Sequence, residues 1–179
     1  MKNSIQLVSF EDNHLPELYR IFSNQEERRN ILPHRQHLTF GQFETTFKRH
    51  VESKYTEFKI IRDHNHDFIG FAIAYDYMKN DGHMKITLYI KPELRSGWYG
   101  IFAAAKFVDY LFMYYNIHKI FTEVYAFNLP SVKIHDKLEL YKEACLRDYK
   151  FYNGIYYDMY IYSMTRNSFY DLAARKRLL

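Results

Sequence analysis

Cysteine, proline and glycine are scarce in this sequence: one, four and six residues among 179. The lone Cys145 excludes an internal disulfide and suits a reducing compartment, so a cytoplasmic location is expected. No stretch reaches transmembrane length without a charge. No long apolar run follows Lys2, so neither a membrane span nor a signal peptide is expected. A basic stripe is missing as well. The net charge is +4, and clusters such as Lys48-Arg49 or Arg175-Lys176-Arg177 are short. That argues against nucleic acid and leaves a mild surplus that helps attract a phosphorylated cofactor or an acidic partner. The nine histidines form no ligand set. Their closest pattern, His64-x-His66, lies in a polar turn with no third ligand nearby, so no metal is expected. Repeats, linkers and low-complexity segments are also missing. The chain therefore reads as one domain over 1–179, a core to 165 followed by a helix over 166–179.

Aromatic residues are abundant, with 18 Tyr and 15 Phe. They can line a cleft, but a Tyr-rich sheet and core is the plainer reading. Periodicity gives a short strand at Ile5–Val8 and a helix after Glu11-Asp12-Asn13 carrying Leu15, Leu18, Tyr19 and Phe22, ending near 24–30. A loop follows over 31–37. Thr39 then caps a helix with Phe40, Phe43, Phe47 and Val51 on one face. Strands are expected at Phe58–Ile61, Phe68–Tyr75 and Met84–Ile90, turning at Asp63–Asp67 and Asn80-Asp81-Gly82. Beyond Gly100 the pattern is helix to about Asn116, strand Ile117–Tyr125, and short helix from Asn128 to about Leu138. A hairpin of Ala144–Tyr152 and Ile155–Met164 turns at Asn153-Gly154.

The stretch around Arg95-Ser96-Gly97-Trp98-Tyr99-Gly100 stands out. A strand runs into a glycine-bearing turn that opens a helix, and the first N–H groups of a helix have no partner within it. Gly97 and Gly100 allow a tight turn and close approach by a phosphate, and Arg95 adds a charge. An unliganded turn of the same form is the equal alternative.

Three pieces in order resemble a known family. They are Pro92–Gly100, Tyr110–Glu123 with Asn128-Leu129-Pro130-Ser131, and Asp136–Ala144 with Asn153-Gly154-Ile155-Tyr156-Tyr157-Asp158. They resemble the GNAT superfamily of acetyl-CoA-dependent N-acetyltransferases. The similarity is greatest to the branch of RimJ/RimL-type ribosomal-protein N-acetyltransferases and spermidine acetyltransferases. The resemblance implies an α+β fold: a mixed, mostly antiparallel central sheet of about seven strands flanked by helices and splayed between strands 4 and 5. It implies acetyl-CoA as co-substrate, with Arg95, Ser96, Gly97, Trp98, Tyr99, Gly100 and Ile101 at its pyrophosphate. Leu88, Tyr89, Ile90 and Asn128 then lie at its pantetheine arm. Ser131 or His135 is the implied acid. Glu26, Glu27 and His34 fall on the substrate side.

The sequence departs from the family pattern at several places. Ser96 and Trp98 stand where glycine is usual, and Trp98 resists a left-handed backbone if the loop needs one there. Glu139 and Ala144 also replace glycines, the first at an expected helix C-terminus. Lys85 stands where related enzymes place a catalytic Glu. Glu26, Glu27, His34, His37, Asp76 and His83 are the substitutes considered for that base. The implied activity is acetyl transfer to a primary amine: a protein N-terminus, a polyamine or another small amine. The alternatives are a non-catalytic acyl-CoA- or protein-binding module on the same fold, or a structural dimer module built on the Tyr-rich hairpin. A homodimer through that hairpin or an edge strand fits the family.

Overall fold

A computed structural model of the chain describes residues 5–31 and 38–179; His34 and His37 lie outside them. Seven strands form one sheet: β1 (Gln6–Ser9), β2 (Glu57–Arg62), β3 (Phe68–Met78), β4 (His83–Ile90), β5 (Lys119–Tyr125), β6 (Tyr141–Tyr152) and β7 (Ile155–Thr165). Their spatial order is β1-β2-β3-β4-β5-β7-β6, and every neighbouring pair is antiparallel except β4 with β5. The expected sheet and its parallel pair are therefore present.

Helices cover both faces. The helices are α1 (Leu15–Ser23), α2 (Gln25–Arg28), α3 (Phe40–Val51), α4 (Tyr99–Tyr114), α5 (Leu129–Lys137) and α6 (Arg166–Lys176). On one face α4 and α6 bury Phe107, Leu111, Phe112 and Phe169 against Met84, Ile86 and Ile120. On the other, α1 and α3 bury Leu18, Ile21, Phe43 and Phe47 against Phe58, Ile60 and Phe71. The alternation of a strand sends odd residues of β4 and β5 to this second face and even ones to the first. Within α4, Ala103, Ala105, Phe107, Val108, Leu111 and Phe112 are buried, while Ile101 and Ala104 are only partly covered.

The first expected helix is broken in two. Asn24 takes an extended conformation (φ −76°, ψ 117°), and its side-chain oxygen accepts the Glu26 and Glu27 N–H groups. Asparagine there competes with the helical backbone and starts a new helix. Gly70 has a different role. A Cβ at that position would lie 2.1 Å from the Tyr89 carbonyl oxygen, so β3 and β4 approach where only glycine fits.

Candidate active site

The two parallel strands separate. Their register runs from His83 opposite Lys119 to Ile86 opposite Thr122 and stops there, although β4 continues to Ile90 and β5 to Tyr125. A V-shaped gap opens beyond. Lys91 N–H bonds the Ile69 carbonyl at 2.9 Å on the β3 side. By the two-residue alternation of strand backbone, Leu88 and Ile90 turn their polar groups into the gap. The Ile90 carbonyl is taken by Arg95 Nε at 2.8 Å. Thr122, the last residue of β5 paired with β4, holds a buried hydroxyl oxygen with no hydrogen-bond partner among the described residues.

Because β4 and β5 run the same way, the segments that follow them meet at one end of the sheet, where open parallel sheets hold ligands. After β4, the turn tightens through Leu94 N–H to Lys91, Arg95 N–H to Pro92 and Gly97 N–H to Leu94. These bonds, and not glycine, make the turn. Neither Gly97 nor Gly100 has a positive φ. A Cβ at Gly97 would meet its nearest atoms at ordinary contact distances, and one at Gly100 only Ile90 Cγ1 at 3.9 Å. The space above these glycines is thus left open by the chain itself. Trp98 has φ −78°, so its side chain imposes no left-handed strain, and it stacks on Tyr99 with centroids 4.2 Å apart. No side chain caps α4, and its first helical bond runs from Phe102 N–H to the Trp98 carbonyl. The preceding N–H groups face forward without helical partners, which suits a phosphate.

After β5, Asn128 caps α5 by accepting the Ser131 N–H. Asn128 therefore supplies the cap, and no bond occupies the Ser131 hydroxyl among the described residues. One turn on, His135 Nδ1 donates to the Ser131 carbonyl at 2.7 Å, and its ring lies against Tyr162, centroids 4.9 Å apart. Burial holds the His135 pKa below the ordinary histidine value. The imidazole is therefore neutral near pH 7, with its proton already committed to backbone. Glu139 stands just past α5 at φ 57°, the left-handed position expected for a glycine.

The acceptor-side expectations are placed differently. Glu26 pairs with Arg29 at 2.6 Å, and Arg29 donates to the Tyr152 hydroxyl at 2.5 Å, tying α2 to the hairpin. Glu27 is buried and accepts a hydrogen bond from the Tyr89 hydroxyl, with Arg95 and Arg20 each 3.9 Å from it. Neither lines the cavity of about 320 Å³ that lies between the sheet and α1 and α3. Its polar fringe is Tyr75, Thr87, Glu123 and Tyr125, beside the gap. Burial raises the Tyr125 hydroxyl to about 12, so it stays protonated.

Glu123 is a candidate site residue that the sequence reading missed. Lys85, on the strand where a Glu was expected, bonds Glu123 at 2.8 Å and Asp76 at 3.2 Å. Its pKa is raised, chiefly by the hydrogen bond to Glu123, so it stays charged. The carboxylate has moved one strand over. The sequence signal was the odd position of Glu123 on β5, which becomes readable only with the parallel register.

Comparison with known proteins agrees with this geometry. The profile of the Acetyltransferase (GNAT) domain matches residues 4–140. A SPbeta prophage-derived uncharacterized N-acetyltransferase, YokL of Bacillus subtilis (strain 168), is 27% identical over 157 residues, covering 86% of this chain and 88% of that one. The spermidine N(1)-acetyltransferase of Vibrio cholerae serotype O1 is 25% identical over 145 residues, 78% of this chain and 83% of that one. The crystal structure of spermidine N-acetyltransferase from Vibrio cholerae, in complex with CoA and spermine, superposes with a TM-score of 0.84 at 18% identity, over 93% of this chain and 98% of that one. The chain belongs to the GNAT acetyltransferase family and is an N-acetyltransferase.

Proposed function

We propose that acetyl-CoA is the donor and that the acceptor is a primary amine arriving from the α1/α3 face. The observation that carries this reading is the convergence, at one end of β4 and β5, of an uncapped helix N-terminus, an unpaired strand edge and a carboxylate. The Arg95–Ile101 segment would hold the pyrophosphate, and Leu88–Ile90 with Asn128 the pantetheine arm. Acetyl-CoA supplies the activated acyl group; the chain supplies position and proton transfer.

Glu123, held by Lys85, takes the proton of the attacking amine directly or through one water. Ser131, whose hydroxyl has no partner among the described residues, donates a hydrogen bond that stabilises the departing thiolate, which takes its proton from solvent. His135 acts through the Ser131 carbonyl and fixes the first turn of α5; it is a positioning residue. Arg95 spans Ile90 and Glu27 and fixes the turn against β4. The non-catalytic alternative loses its grounds, because Trp98 is unstrained and Glu123 supplies the carboxylate that Lys85 lacks.

The test is thermal unfolding with acetyl-CoA, followed by release of free thiol with an amine present. At ~100 times its dissociation constant the donor adds roughly 2.7 kcal/mol, about 5–10 °C for a chain of this size. Gly100→Trp should abolish that shift. Glu123→Gln and Ser131→Ala should keep it while lowering kcat by about 10²-fold or more. No shift at saturating donor sinks the reading.

A further inference from the structure

The cavity beside Glu123 has a composition that bears on the acceptor. Its walls are aromatic: Phe22, Phe43 and Phe47 from the helices, Phe58 and Phe71 from the sheet. The rings already pack in families, Phe22 on Phe71 at 5.5 Å and Phe43 on Phe47 at 5.2 Å, so the walls are fixed by mutual contact. At about 320 Å³ the space is at the lower end of the range for small-molecule sites.

Charge is sparse there. Among the described residues lining the cavity, Glu123 is the one carboxylate, and Lys85 neutralises it at 2.8 Å. Arg28 adds a positive charge to the lining. The sequence of residues 32–37 contains no Asp or Glu. A polyamine would bring one ammonium to Glu123 and leave the others among phenyl rings or near Arg28. Burying an unpaired cation in such surroundings is costly. A single amine on an apolar body meets no such cost, and its body gains from leaving water.

On the transferase reading above, we propose that the preferred acceptor is a small primary monoamine with an apolar, aromatic-sized body. The body seats under α1 and α3, and the amino group lies at Glu123. Phe22, Phe43 and Phe47 are then specificity determinants.

The experiment measures thiol release from acetyl-CoA with 2-phenylethylamine, ethylamine, spermidine, spermine and a short peptide with a free N-terminus. Binding of 2-phenylethylamine is measured separately by calorimetry. The expected kcat/KM for 2-phenylethylamine exceeds those for spermidine and ethylamine by about tenfold or more. Phe22→Ala should lower the ratio of kcat/KM for 2-phenylethylamine to that for ethylamine about tenfold, a change of preference that a merely structural defect, which lowers both alike, would not produce. Preference for spermidine, spermine or the peptide overturns the proposal and leaves the transferase reading standing. Binding of 2-phenylethylamine without turnover of any amine supports the cavity's selectivity and overturns the transferase reading. Absence of both binding and turnover of 2-phenylethylamine overturns the proposal.

Discussion

Two histidines are held neutral by the fold, each by a different arrangement. His14 is buried, and Arg62 donates to its Nε2 at 2.8 Å. The Glu11 N–H donates to the His14 Nδ1 at 3.0 Å. Burial first, then Arg62, lowers the His14 pKa; burial lowers that of His135. In both cases the unfolded chain binds more protons below pH 6.5, so stability rises with pH through the window between the lowered native value and 6.5. Denaturant unfolding should therefore show stability falling as pH drops below 6.5, and His135→Gln should flatten that fall. A wild-type curve that is level there would contradict the assignment. Glu139 makes the opposite point. It sits at φ 57° with only an exposed ion pair to Arg175 at 3.2 Å to compensate. Glu139→Gly should stabilise by about 1 kcal/mol, read as a rise in Tm of about 2–4 °C.

The element that organises the site is β4. Its β3 edge is held by a contact that admits no side chain at Gly70, and its other edge is free beyond Ile86. Gly70→Ala should push the Tyr89 carbonyl away and cost about 1–3 kcal/mol, the range for overpacking. On the proposed function, acetyl-CoA should bind more weakly to that variant, because the displaced strand is the one whose far edge is proposed to receive the donor. Tyr89 also stacks on Phe71 at 5.1 Å and donates to Glu27, so β4 carries α2 as well as the donor turn. Tyr89→Phe would leave the buried Glu27 short of a donor, a cost of about 1–3 kcal/mol. Chemical denaturation gives the check: a loss below 0.5 kcal/mol would mean that Arg20 and Arg95 suffice.

At the scale of the whole molecule, the β6–β7 hairpin is the exposed end of the sheet. Tyr141, Tyr149, Phe151, Ile155 and Tyr156 all stand in solvent there. Register shifts in β6 after Lys142 and Leu146 bend the edge strand, with Asp148 at φ 50°. An apolar edge of this kind favours association, and a homodimer through it is expected in sedimentation. Phe151→Lys combined with Tyr156→Lys should return a monomer with its acetyl-CoA shift intact, since neither residue touches the gap. A wild-type monomer at all concentrations would remove the expectation.

Local sequence determined most of the elements. The continuous apolar run Phe68–Tyr75, the Thr39 cap of α3 and the Asn153-Gly154 turn each have a cause within a few residues, and each appears in the fold. The elements of the proposed donor side were legible for the same reason, since a strand, a turn and a helix N-terminus are contiguous in the chain. Asn24 shows the limit of periodicity: the apolar spacing stops at Phe22, and one side chain caps a second, polar helix that no apolar pattern announces. The acceptor side was decided by the tertiary structure alone. Lys85 and Glu123 become partners only because β4 and β5 pair in parallel and then part, and no local rule reports that register. Glu27, an acid on the substrate side by sequence position, is drawn beneath the sheet end by Tyr89. The cavity exists because rings from α1, α3, β2 and β3 meet across the fold. Composition supplied the phenylalanines, and packing decided that they enclose a space.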